Sequence, residues 1–151
     1  MCIRDRAEFG QGEPIRSIQL YGTDPKTVAL AVRMLKDRLN IDHVDMNFGC
    51  PAPKVTRNGG GAAIPVKRRL LGTIVESAVE AAGEVPVTIK FRKGIDDDHL
   101  TFLHSGRIAQ EAGCAAVTLH ARTARDLYSG HADWDAITQL VEHINIPVFG
   151  N

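Results

Sequence analysis

The chain has 151 residues, 44% apolar and 24% charged, with Lys plus Arg balancing Asp plus Glu at 18 each. This composition is that of a single globular domain large enough to bury a core. No run approaches the ~18 uncharged apolar residues of a membrane helix, and the charged opening residues are not those of a signal peptide. Zero net charge weighs against a broadly basic nucleic-acid binder. Three cysteines, Cys2, Cys50 and Cys114, are too few for a disulfide framework, and they show no zinc-ligand spacing. Free thiols suit a reducing cytoplasm and leave one available for chemistry.

Met1-Cys2-Ile3-Arg4-Asp5-Arg6 reads as a translated sequencing-adapter scar. Residues 1–13 are therefore expected to be non-native or disordered, and residues 14–151 to form the domain.

From there apolar strand-like runs alternate with amphipathic helical ones. Ile15 to Leu20 is the first strand. Asp24-Pro25 opens a helix, Asp24 as its cap and Pro25 in its first turn, with Val28, Ala31, Val32, Leu35 and Leu39 on one face. His43 to Asn47 is the second strand and runs into Phe48-Gly49-Cys50-Pro51. An irregular stretch centred on Gly59-Gly60-Gly61 follows, read as a mobile loop because the spacing of a phosphate-binding loop is missing. The next helix carries Leu70, Ile74, Val75, Ala78, Val79 and Ala82 and stops at Gly83. Pro86 to Phe91 is the third strand. Asp96-Asp97-Asp98 is placed at the start of a helix bearing Leu100, Leu103, Ile108 and Ala112. Ala115 to His120 is the fourth strand, a helix starts near Asp133 with Trp134, Ile137, Leu140 and Val141, and Ile146 to Phe149 is the fifth strand.

This alternation predicts a parallel α/β sheet, with strands apolar on both faces because both are covered. A doubly wound sheet and part of a (β/α)8 barrel both fit it. No GxGxxG follows the first strand, which argues against the dinucleotide-binding version. The unusual residues decide for the barrel. Gln19, Asn47 with Cys50 just beyond it, Lys90, His120 and Asn151 all fall at C-terminal strand ends, which in a barrel form one ring. The expected fold is an incomplete TIM (β/α)8 barrel with about five parallel strands.

Several of these residues suggest chemistry. Gly49 and Pro51 shape the backbone around Cys50 so that its thiol is held at the mouth, although an ordinary loop cysteine is the plain alternative. Cys114, in Gly113-Cys114-Ala115, reads as a small core residue. Lys90 at the end of an apolar run either snorkels to water or faces the ring, where it could stabilise an anion such as the N1 edge of a reduced flavin. His120 on the neighbouring strand could add a second donor. Gln19 offers both a donor and an acceptor to the edge of a flavin or pyrimidine ring. Lys54, Arg57 and Lys67-Arg68-Arg69 form either a solvated face or a local phosphate track.

IQLYG (18–22), DMNFGCPAPKV (45–55), RNGGGAAI (57–64), VTIKFRKG (87–94), LHART with YSGHADW (119–134) and the terminal GN together resemble the tRNA-dihydrouridine synthases. That resemblance implies an FMN barrel in which NADPH reduces the flavin and the flavin passes hydride to uridine in tRNA. It implies Cys50 as the acid protonating C5 of the uracil; Gln19, Lys90, His120 and Asn151 as FMN contacts; and Asn47, Arg122 and Lys54 as residues facing uridine or nearby RNA. No metal and no membrane enter the reading. Against the family pattern the first two strands, the eighth strand and a C-terminal helical domain are missing, so the isolated chain is expected to be inactive. The rivals are another FMN barrel enzyme, such as a dihydroorotate dehydrogenase, and a non-catalytic α/β metabolite-binding module.

Overall fold

The computed structural model describes residues 9, 10 and 12–151. Cys2 and most of the expected N-terminal segment lie outside the described residues. Within that segment, Phe9 packs against the core and lies beneath the Arg16 guanidinium, 5.8 Å from ring centroid to Cζ.

Five parallel strands form one sheet: β1 (Ser17–Leu20), β2 (His43–Phe48), β3 (Val87–Arg92), β4 (Ala116–His120) and β5 (Val148–Gly150), hydrogen-bonded in that order. Between them run α1 (Pro25–Leu39), the short α2 (Pro53–Thr56), α3 (Arg68–Ala82), α4 (Phe102–Glu111) and α5 (Trp134–His143). A doubly wound sheet reverses its strand order partway, which puts helices on both faces. Here the order never reverses. With right-handed crossovers, α1, α3, α4 and α5 therefore line up along a single face, each packed on the next. That is the architecture of an incomplete (β/α)8 barrel.

The helices begin and end where local chemistry dictates. The Asp24 carboxylate accepts from the Thr27 amide and caps α1, Pro25 follows it, and Asn40 closes the helix in the left-handed conformation. Asp133 caps α5 by accepting from the Ala136 amide. Gly83 ends α3 with φ 64°. On their inner faces these helices carry Val32, Val75, Ala78 and Leu140, all fully buried.

Three expectations need correction. The strands are not apolar on both faces, because β2 and β3 alternate. Val44, Met46, Phe48, Ile89 and Phe91 are fully buried under the helices, whereas His43, Asp45, Asn47, Thr88 and Lys90 take the other face. Only one face is covered by helices; the other is the inside of the barrel. Asp96-Asp97-Asp98 does not start a helix. Gly94 bridges Leu100, Asp96 bonds His99, and α4 begins at Phe102 with Thr101 at its cap position. Trp134 and Val141 of α5 stay 65% and 53% exposed, so the buried stripe of that helix is Ala136, Ile137 and Leu140. No helix among the described residues is long and apolar enough to cross a membrane.

Candidate active site

Parallel strands put all their C-terminal ends at one edge of the sheet. Register then places side chains side by side: Gln19 opposite Asp45, Asn47 opposite Lys90, and Arg92 opposite His120. Cys50, Asn47, Lys90, Arg92, His120 and Tyr128 line a depression of about 170 Å³ at this edge. Gln19 is joined to it through Asn47, whose amide nitrogen donates to Gln19 Oε1 at 3.0 Å. Asn151 is joined to it through Lys90, whose Nζ donates to Asn151 Oδ1 at 2.6 Å.

The loop carrying Cys50 is held from three sides. The Gly49 amide donates to Asn47 Oδ1 at 3.0 Å. The Gly49 carbonyl accepts from Arg92 Nε at 3.1 Å, and the Cys50 carbonyl accepts from the Ala62 amide at 3.0 Å. The last bond explains the glycine run. The stretch is ordered as α2 and a 3₁₀ turn over Gly61–Ala63, with Gly60 and Gly61 buried. Gly61 sits at φ 54°, and a Cβ there would run into the Cys50 carbonyl. Glycine is thus required beneath the cysteine loop for space as well as backbone conformation.

Arg92, only 3% exposed, was not singled out by sequence reasoning. Besides Gly49, its Nη1 donates to the carbonyls of Thr123 and Leu127, each at 2.8 Å, and its guanidinium lies 5.4 Å from the Tyr128 ring centroid. Leu127 takes a left-handed conformation, φ 53°, which turns its carbonyl to that guanidinium. One side chain therefore ties the loop after β2 to the loop after β4. The signal for it was parity: once Lys90 faces inward, Thr88 and Arg92 share its face.

Electrostatics in the depression are one-sided. No carboxylate is among the described residues that line it, whereas the cations Lys90 and Arg92 are. Burial, followed by the cations Arg92, Lys90 and Arg122, pushes His120 down to about 4, so its imidazole is neutral at pH 7. Burial also lowers Lys90, with Asp45 opposing and Arg92 reinforcing the shift. Arg122 leans on this cluster. Its Nη1 lies 3.4 Å from His120 Nε2 and its Nη2 donates to the Gly130 carbonyl, while its buried Nε has no partner among the described residues.

Lys54 is the site candidate that is not brought in. It is exposed on α2, and its backbone carbonyl accepts from the Asn58 amide group. Cys114 is buried, and that burial pushes its thiol up to about 12, the condition of an unreactive core cysteine. Cys50, by contrast, is only half-buried.

The dihydrouridine synthase family model matches residues 3–151, a span that takes in part of the N-terminal segment set aside above. A probable tRNA-dihydrouridine synthase of Mycobacterium leprae is 58% identical over 146 residues, covering 95% of this chain and 38% of that protein. The tRNA-dihydrouridine synthase B of Pseudomonas syringae pv. tomato is 41% identical over 142 residues, covering 94% and 41%. A probable tRNA-dihydrouridine synthase of Treponema pallidum is 36% identical over 143 residues, covering 89% and 42%. The chain spans about two-fifths of the length of these curated relatives. The match over nearly its whole length, on a parallel sheet whose strand ends gather a cysteine, a lysine and a histidine, makes this chain a member of the dihydrouridine synthase family.

Proposed function

We propose that this chain is part of a longer flavin-dependent oxidoreductase that reduces uridine in tRNA to 5,6-dihydrouridine, with FMN as the hydride carrier and NADPH as its reductant. The observation that carries the proposal is a half-buried thiol sharing one depression with Lys90, Arg92 and His120, with no carboxylate among the described residues that line it. The names of the relatives favour tRNA over free dihydroorotate as substrate. A cytoplasmic location follows from the same reading.

The donor set fits a flavin. Lys90 offers positive charge to an electron-rich ring edge, and Gln19 and Asn151 offer carboxamides that can match its alternating donors and acceptors. In this reading Gln19, Lys90, His120 and Asn151 hold FMN, which when bound supplies the hydride destined for C6 of the uracil. Neutral His120 donates a hydrogen bond without adding a full charge beside Lys90. Asn47 and Arg122 face the uridine, and Lys54, standing off on α2, meets RNA outside the depression. Cys50 is the general acid: its S–H proton passes to C5 as the C5–C6 double bond is reduced, leaving a thiolate that solvent reprotonates. Burial of its neighbours and the triple hold on its loop keep the sulfur near one position, which a proton transfer over hydrogen-bond distance requires.

The test is Cys50→Ala in a protein of full family length carrying this chain, assayed for dihydrouridine in tRNA. Product formation is expected to fall by about 10²–10⁴-fold, the usual loss with a general acid, while flavin absorbance is retained. Undiminished product would remove Cys50 from this role. The 151-residue chain alone is expected to carry no stoichiometric FMN, because phosphate sites in such barrels are built by loops after the seventh and eighth strands.

A further inference from the structure

The inner face of the sheet holds a continuous run of hydrogen bonds that reaches from its far end to the cysteine loop. Ser17 Oγ lies 2.7 Å from His43 Nδ1, and His43 Nε2 lies 2.9 Å from Thr88 Oγ1. Thr88 Oγ1 donates to Asp45 Oδ1 at 2.7 Å. From the other side Gln19 Nε2 donates to Asp45 Oδ2 at 2.7 Å, Asn47 Nδ2 to Gln19 Oε1, and the Gly49 amide to Asn47 Oδ1.

We infer that Asp45 is the positioning residue of the site, setting the orientation of the Gln19 and Asn47 carboxamides and, through Asn47, the loop bearing Cys50. A carboxamide can be turned end for end at little steric cost, so its direction must be imposed by a neighbour that cannot reverse. A carboxylate only accepts. It obliges Gln19 to present nitrogen downward and oxygen to Asn47; Asn47 must then present nitrogen to Gln19, leaving its oxygen for the Gly49 amide. Reversing either amide would set an N–H of Asn47 against the N–H of Gly49. The same constraint runs down the other arm. Thr88 gives its one proton to Asp45, so it must accept from His43 Nε2–H, and in a neutral imidazole His43 Nδ1 then accepts from the Ser17 hydroxyl. With the ring neutral, every donor in the run points toward Asp45 and His43 carries its proton on Nε2.

The two arms differ in how they respond to loss of the charge. Hydroxyls rotate and imidazole exchanges tautomers, so the Ser17–His43–Thr88 arm can reverse as a unit. The amide arm cannot, because it ends on a backbone N–H. In Asp45→Asn the new amide nitrogen is therefore expected to face Thr88 and its oxygen Gln19, which switches His43 to the Nδ1–H tautomer and leaves the Cys50 loop in place. Asp45→Leu removes the acceptor altogether and frees both carboxamides.

This inference rests on the assignment of Gln19, Asn47 and Cys50 to the site, but its test needs neither flavin nor RNA. Nitrogen-15 NMR of the full chain at pH 7, with the His43 signal identified by its loss in His43→Gln, is expected to show Nε2–H in the native chain and Nδ1–H in Asp45→Asn. The Nδ1–H form or the imidazolium in the native chain overturns the inference, as does an unchanged tautomer in Asp45→Asn. Alkylation of Cys50 by iodoacetamide, followed by peptide mass spectrometry, is expected to change by about three- to tenfold in Asp45→Leu, as the loss of one hydrogen bond allows. It should stay at the native rate in Asp45→Asn. An unaltered rate in a folded Asp45→Leu also overturns it. If Asp45→Leu does not fold, the tautomer of the native and Asn chains decides. If the tautomer switches as expected but the full-length protein forms no dihydrouridine, the enzymatic reading fails and the positioning role stands.

Discussion

The two faces of the sheet are made by alternate residues of the same strands, and they have divided the protein's tasks between them. Toward the helices stand Met46, Phe48, Ile89, Phe91 and Leu119, all without solvent exposure. Away from them stand Gln19, Asp45, Asn47, Thr88 and Lys90, joined into hydrogen-bonded runs that end at the cysteine loop or at Asn151. One face supplies the free energy of apolar burial, and the other spends polar groups on orientation. Because the side-chain period of a strand is two, neighbouring residues such as Lys90 and Phe91 belong to different tasks.

The sharpest way to break this division is to strike the apolar face. Phe91→Ala is expected to cost about 3–5 kcal/mol of stability, the range for a fully buried phenylalanine, read by urea unfolding of the chain. A loss below about 1 kcal/mol would mean the face is not packed as described.

One residue earlier the outcome should invert. Lys90→Met exchanges a half-buried cation, already crowded by Arg92, for an apolar chain of similar length, so the urea midpoint should hardly move. In the full-length protein FMN affinity should fall by about 10–100-fold, as loss of one charge-assisted hydrogen bond implies, followed by flavin fluorescence titration. Unchanged affinity would separate Lys90 from the flavin.

The smallest effect is a slope. His120 is held near 4, below its ordinary 6.5, by burial and three cations, so the unfolded chain binds the proton first as pH falls. Its contribution to stability is complete above about pH 6.5 and is lost progressively toward pH 4. His120→Gln should flatten that part of the stability curve in urea melts run at stepped pH, and an identical slope in the variant would show that His120 does not titrate in this window.

The elements were legible in the sequence because their signals are local. Asp24-Pro25 caps and starts α1, Gly83 stops α3, and Asp133 caps α5, each within a few residues of where the helix needs it. The strand-end residues were legible for a topological reason, since parallel strands bring all their C-terminal ends to one edge whatever lies between them. Arg92 and Asp45 were passed over because their importance lies in partners far along the chain. Arg92 reaches Gly49, Thr123 and Leu127, and Asp45 reaches Gln19 and Thr88. Asp96 was misplaced for a related reason: its partners His99 and Arg125 draw it into the loop rather than onto a helix end.

By itself the sequence determined where the chain turns, which runs are apolar, and which uncommon side chains stand at the strand ends, because capping, periodicity and turn chemistry act over a handful of residues. Tertiary structure alone decided which face of each strand looks inward, which carbonyls Arg92 reaches, and that Gly61 must leave room for the Cys50 carbonyl. Those depend on strand register and on loops meeting in space, and neither is a property of any short stretch of residues.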